Sequence, residues 1–254
     1  MSDEVLVDVA DGIMTVTLNR PQAKNAANRA VAEGIAAAMD ELDSNDDIRV
    51  AIITGAGGSF CAGMDLKAFV SGELPMVEGR GFAGLTEAPP KKPLIAAVEG
   101  FALAGGLELM ISCDLVVAAD NAKFGIPEVK RGLAAAAGGL IRLPKQVPAR
   151  VAMEMALTGD FIDTTRAESI GLVNRVVPAG TALDAAKELA ATICANGPLA
   201  VQVSKQVMVD SAEWSSEEMW QKQQQLTQPV LSSQDAIEGA TAFAEKRAPN
   251  WTGK

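Results

Sequence analysis

Three short apolar runs constrain the fold of this chain more than any other feature: residues 50–54, 94–98 and 115–118. Each is continuous and free of charge, the pattern of a strand buried on both faces. Helix-like segments alternate with them, so a layered α/β core is expected. Ahead of them, residues 5–9 and 13–18 read as two strands, and Asp11-Gly12 between them is a hairpin signal. Asn28 is placed to cap a helix whose apolar positions Val31, Ile35, Met39 and Leu42 share one face.

The rhythm breaks over 70–92, which holds Gly72, Pro75, Gly79, Gly81, Gly84, Pro89 and Pro90. A mobile loop with a short helix, lying over a site, is expected there. After residue 145 strand signals fade, apart from 172–177, and helical patterns cover 182–195, 199–211, 216–227 and 235–247. Ser215 and Glu218 form a capping box before the third of these. The expected division is an α/β core over 1–195 that carries the site, and a helical region over 196–254 that makes oligomer contacts.

Composition removes several function classes. Among 254 residues, 22 Lys and Arg face 32 Asp and Glu, for a net charge of −10. With no basic run, the chain is a poor partner for nucleic acid or an anionic membrane. Histidine and tyrosine are absent, so His-dependent triads and His-based metal sites are excluded. Cys61, Cys113 and Cys194 stand far apart and are odd in number, which gives no closed disulfide framework and reads as reduced, structural thiols. The acidic start has no signal-peptide core, and the apolar stretches are broken by charge or dominated by Ala and Gly. A cytoplasmic protein is expected.

Two stretches point to chemistry: Ser59-Phe60-Cys61-Ala62-Gly63-Met64-Asp65-Leu66 and Ala102-Leu103-Ala104-Gly105-Gly106-Leu107-Glu108-Leu109. Each follows a strand-like run that ends in glycine, and each packs small residues into a turn before a helix. Such turns leave backbone N–H groups pointing outward, and two that converge make an oxyanion hole. Glu108 lies just beyond the second turn, and Glu128 follows Phe124-Gly125-Ile126-Pro127. Taken singly, each is an ordinary carboxylate at a helix start. Both sit in apolar surroundings, and two facing carboxylates separate their proton affinities, so that one serves as base and the other as acid. Adding water across a double bond beside a thioester carbonyl needs that pair and an oxyanion hole for the enolate.

An ordered series of segments resembles the crotonase superfamily, and enoyl-CoA hydratases most of all. It runs through Asn19-Arg20-Pro21, Asn25-Ala26, Phe60-Cys61-Ala62-Gly63-Met64-Asp65-Leu66-Lys67 and Lys92-Pro93-Leu94-Ile95-Ala96-Ala97-Val98-Glu99-Gly100. Gly105-Gly106-Leu107-Glu108, Cys113-Asp114, Phe124-Gly125-Ile126-Pro127-Glu128, Gly171-Leu172-Val173 and Ala242-Phe243-Ala244-Glu245-Lys246-Arg247 follow. The series spans nearly the whole chain. The resemblance implies a spiral of repeated β-β-α units with a helical C-terminal region, assembled as homotrimers or hexamers. It implies an oxyanion hole from the N–H groups of Met64 and Gly105, with Glu108 and Glu128 as catalytic acid and base. Ala23, Lys24, Ala62 and Lys67 match positions lining a coenzyme A site, and Lys246 is expected to reach coenzyme A from the C-terminal helix, of its own or of a neighbouring subunit. No metal or redox cofactor is implied, since coenzyme A arrives as part of the substrate.

The implied reaction is reversible hydration of a trans-2-enoyl-CoA to a 3-hydroxyacyl-CoA. Two alternatives share the same turns: an enoyl-CoA isomerase that works with one glutamate, and an acyl-CoA-binding homologue without chemistry. One departure stands out. Where hydratases usually have Pro-Gly-Ala-Gly-Gly, this chain has Ala135-Ala136-Ala137-Gly138-Gly139, which places the Ala136 methyl where the resemblance expects a glycine beside the catalytic water.

Overall fold

The structure, a computed structural model, describes residues 3–254. Its first strands, β1 (Val5–Ala10) and β2 (Ile13–Leu18), form the expected hairpin, with Ala10 paired to Ile13. Asp11 and Gly12 both take positive φ, 53° and 77°, the geometry that a two-residue turn between twisted strands requires. Helix α1 (Arg29–Ser44) begins where Asn28 accepts the Val31 N–H at 3.0 Å, and Val31, Ile35, Met39 and Leu42 are fully buried along one face.

Strand β3 (Val50–Gly55) pairs in parallel with β2. Helix α2 (Leu66–Val70) follows, then the two-residue strands β4 (Met76–Val77) and β5 (Gly81–Phe82), which pair with each other. Strands β6 (Leu94–Val98) and β7 (Phe101–Leu103) lead into α3 (Gly105–Met110), and β8 (Leu115–Ala119) and β9 (Lys123–Gly125) lead into a 3-10 turn, Pro127–Arg131. Beyond these lie α4 (Gly139–Gln146), α5 (Ala149–Thr158), β10 (Ile162–Asp163), α6 (Thr164–Ser169) and β11 (Arg175–Val177). The chain ends in α7 (Ala182–Cys194), α8 (Pro198–Asp210), α9 (Met219–Leu231) and α10 (Gln234–Glu245), close to the helical spans read from the sequence.

The main sheet has the order β1-β2-β3-β6-β8-β11, parallel except for the first pair. Alternation along its strands feeds two cores. Val50, Ile52, Ile95, Ala97 and Val117 pack with Ala186 and Ala190 of α7, two small residues one helical turn apart. Ala51, Ile53, Ala96, Val98 and Ala118 face the other way, into a core shared with α1 and α3. Both faces are therefore covered, which is why these strands read as unbroken apolar runs.

A second sheet, β10-β9-β7, is extended by a parallel bridge from Cys61 to Ala102 of β7. A repeat emerges from the two sheets. β3, β6 and β8 lie in the main sheet. Each is followed by a residue or strand in the small one: Cys61, β7 and β9. Each then turns into a helical segment. This is the spiral of β-β-α units that the resemblance implies.

Two local expectations fail. The stretch 70–92 holds no short helix of its own: α2 stops at Val70, and the β4–β5 hairpin takes its place. Positive φ at Gly72, Gly79, Gly81, Ala83 and Gly84 breaks any helical run. The stretch is also fastened down, with Phe82, Leu85 and Thr86 buried, the Arg29 N–H donating to Glu73 at 2.8 Å and Arg80 paired with Asp40. Ser215 and Glu218 make only half of the capping box: their side chains meet at 3.0 Å and the Glu218 carboxylate faces the Ser215 N–H, but the Ser215 hydroxyl caps no helix amide, and α9 starts at Met219. No helix among the described residues is long and apolar enough to cross a membrane.

Candidate active site

The exits from the small sheet stand side by side because its strands do. Cys61 N–H donates to the Phe101 carbonyl at 2.8 Å, Leu103 N–H to the Cys61 carbonyl at 3.1 Å, and Ala104 N–H to the Gly125 carbonyl at 2.9 Å. The turns that carry Met64, Gly105 and Glu128 therefore leave neighbouring positions in the same direction. Their contact is close enough to demand glycine. A Cβ on Gly63 would lie 2.8 Å from the Ala104 Cβ and 3.2 Å from the Gly105 nitrogen. A Cβ on Gly106 would overlap the Cys61 carbonyl, 2.7 Å from its carbon.

Ala104 sits at φ 52°, ψ −129°, a costly backbone state for a residue with a Cβ, directly before α3. It is held by its own bond to Gly125, and it turns the Gly105 N–H out of the sheet ladder. Among the described residues, neither the Gly105 nor the Met64 N–H donates to a protein acceptor. The Met64 side chain is partly buried against the core, as a filler. After it, Asp65 caps α2 by accepting the N–H groups of Lys67 at 3.0 Å and Ala68 at 3.3 Å. Arg20 pairs with Asp65 at 2.9 Å and with Glu4 at 3.2 Å. Burial works against the Asp65 charge, but the Arg20 bond and the helix amides hold its carboxyl below the usual range.

Glu108 is 3% exposed, on the first turn of α3. Burial pushes its carboxyl up to about 7; the Gly139 N–H, 2.8 Å from Oε1, opposes the rise, and the Glu128 charge adds to it. Glu128 is half-buried on the 3-10 turn, and burial raises its carboxyl too. Its Oε2 is buried with no hydrogen-bond partner among the described residues. The structure thus brings both carboxylates to the same pair of turns.

The other expected positions divide. Ala23 ends the 3-10 turn Pro21–Ala23, and Lys24 follows at φ 50° with its ammonium 4.9 Å from the centroid of the Phe101 ring. The Ala62 N–H donates to the Lys24 carbonyl at 3.0 Å, so Ala23, Lys24 and Ala62 gather beside the Met64 turn. Lys67 is exposed on α2 in the same neighbourhood. Lys246 caps α10 in the left-handed region at φ 56°, its N–H donating to the Phe243 carbonyl of the same helix, and α10 packs on α9. Ala136 is exposed, and the amides that hold Glu108 belong to Gly139 and Ala137. The sequence signalled this only through its pair of glycines at 138 and 139. Cys61 and Cys113 are buried free thiols, and burial pushes Cys61 up to about 11.

Comparison with known proteins identifies the family. Residues 8–254 match the family model described as enoyl-CoA hydratase/isomerase. An enoyl-CoA hydratase of Mycobacterium tuberculosis is 42% identical, covering 99% of this chain and 97% of its own. A carnitinyl-CoA dehydratase of Proteus mirabilis is 39% identical over 100% of both chains. A crystal structure of an enoyl-CoA hydratase from Mycobacterium tuberculosis superimposes over 100% of both chains with a TM-score of 0.98 at 58% identity. With the spiral fold, the joined glycine turns and the matching family model together, the chain belongs to the enoyl-CoA hydratase/isomerase family.

Proposed function

We propose that this protein is a hydro-lyase that reversibly adds water to a trans-2-enoyl-CoA, giving a 3-hydroxyacyl-CoA. The observation that carries this reading is the presence of two carboxylates with raised proton affinity, Glu108 and Glu128, beside two adjoining turns with unpaired N–H groups. The Met64 and Gly105 N–H groups receive the thioester oxygen. One glutamate, ionised, takes a proton from water as the oxygen bonds to C3. The C2=C3 electrons move onto the thioester as an enolate, whose charge the two N–H groups hold. The other glutamate, protonated, delivers its proton to C2 as the enolate collapses. The Glu128 charge adds to the rise at Glu108, so Glu108 holds its proton more readily while Glu128 is ionised.

Coenzyme A enters as part of the substrate, along Ala23, Lys24, Ala62 and Lys67, and no metal or redox group takes part. Lys246, at the end of α10, serves the coenzyme A site of a neighbouring subunit. The helical region 196–254 makes the contacts of a homotrimer or hexamer, and it exposes Met208, Trp220, Leu231 and Phe243 for that purpose. The protein acts in the cytoplasm.

The test is turnover of trans-2-enoyl-CoA substrates of several chain lengths, with hydrated and isomerised products resolved. Glu108→Gln and Glu128→Gln are each expected to lower kcat by about 100-fold or more while the fold survives. Near-normal hydration by either variant would remove the two-glutamate mechanism, and isomerised product without hydrated product would favour the one-glutamate isomerase.

A further inference from the structure

Arg142 has no part in the scheme above, yet it is built against it. It lies on α4 one turn after Gly139, whose N–H holds Glu108 Oε1 at 2.8 Å. Its Nη2 donates to the Thr86 carbonyl at 2.6 Å. The guanidinium folds back over the helix start, where a Cβ on Gly138 would collide with Nη1. Thr86 is 1% exposed, in the chain just after the β4–β5 hairpin.

The start of α4 needs such a tether. Its cap, Gly138, stands at φ 106° and offers no side-chain bond, and Pro144 interrupts the helix further on. A short helix without a cap is marginal by itself. The Arg142–Thr86 bond joins it to a buried segment.

We propose that Arg142 is a positioning residue for Glu108: its guanidinium locks the first turn of α4 to the Thr86 segment and so keeps the Gly139 N–H on the carboxylate. Its charge works in the same direction. The groups that face Glu108 are the Gly139 and Ala137 amides, the Glu128 carboxylate from the 3-10 turn and the Arg142 cation from α4. The cation and the amides favour ionised Glu108, against its burial and the charge of Glu128. The consequence for turnover rests on the hydratase reading, whereas the effect on Glu108 itself does not.

The test titrates the Glu108 carboxyl by carbon NMR, with the signal assigned by its loss in Glu108→Gln. Arg142→Met and Arg142→Gln are both compared with wild type, so that one folded variant suffices, and circular dichroism checks the fold. Either variant is expected to raise the Glu108 midpoint by roughly half a unit to one unit, because a neighbouring cation and a donor amide are weakened together. The Gly139 amide proton should move upfield as its bond loosens. Arg142→Lys, which keeps the charge without the planar fork, should recover part of the midpoint shift and leave the Gly139 signal displaced. In hydration assays, the pH limb set by Glu108 should move upward by the same amount. An unchanged Glu108 midpoint and Gly139 signal in folded Arg142→Met or Arg142→Gln would overturn the proposal. Absence of hydration by the wild-type protein would overturn the hydratase reading alone, since the titration still decides the role of Arg142.

Discussion

Gly106→Ala tests whether the two turns must touch for the protein to work. The added methyl would overlap the Cys61 carbonyl and lie 2.7 Å from its carbon and 3.0 Å from the Cys61 Cβ. Carbon atoms in ordinary contact sit about 3.5–4.0 Å apart, so the turns must separate by roughly 1 Å. The obstacle is backbone, bonded on either side to Phe101 and Leu103, and cannot rotate away like the end of a side chain. Overpacking of this kind costs about 1–3 kcal/mol of stability. Its larger effect falls on geometry. The Met64 N–H rides on the turn after Cys61 and the Gly105 N–H precedes Gly106, so the donors would part. A misplacement of about 1 Å costs on the order of 100-fold in rate, and loss of one oxyanion donor costs about 100- to 1000-fold. The assay is kcat and kcat/KM for loss of the enoyl thioester absorbance, paired with urea denaturation. Gly197→Ala is the control, because its methyl would rest 3.6 Å from the Trp251 ring, an ordinary contact. A Gly106→Ala protein with wild-type kcat and denaturation midpoint would refute the adjoining-turn account.

Two further outcomes follow from the environment of Glu108. Its folded carboxyl is raised from 4.5 to about 7, so the native state binds the extra proton, and the associated stability is present below pH 4.5 and lost as pH rises through about 7. Glu108→Gln, which cannot ionise and still offers an oxygen to the Gly139 N–H, should therefore be more stable than wild type above pH 7, by an amount approaching roughly 3 kcal/mol, and lose that advantage near pH 4; parallel stability curves against pH for the two proteins would contradict this. Gly139→Ala would place a methyl 2.9 Å from Glu108 Oε1 and 3.1 Å from its Cγ, so kcat should fall by at least about 10-fold through displacement of the carboxylate. A KM change alone, with kcat intact, would show that the Glu108–Gly139 contact does not govern the chemical step.

The sequence by itself determined the parts governed by neighbours along the chain. Asp11-Gly12 dictates a hairpin because its φ values are local, and Asn28 dictates a helix start because its partner is the Val31 amide three residues on. The apolar runs before Gly55 and through 94–98 and 115–118 dictate buried parallel strands because both faces need cover. The two glutamates were visible as residues, and their pairing was visible through resemblance rather than pattern.

Tertiary structure alone decided what depends on distant contacts. Nothing near Cys61 says that it will pair with Ala102, yet that bridge sets Met64 beside Gly105. Burial of Glu108 comes from the packing of α3 between the small sheet and α4, and the Gly139 amide that holds it arrives from a later element. Residues 70–92 looked like a free loop because glycine and proline erase periodicity, whereas buried Phe82, Leu85 and Thr86 fasten it to the core. Ser215 and Glu218 have the spacing of a cap, but spacing does not orient side chains, and here they bond to each other. Local signals encode dihedral preference and the side on which apolar groups fall. Which turn meets which is decided by the closure of the sheets, where the free energy of burial and of close contact between glycine backbones selects one arrangement.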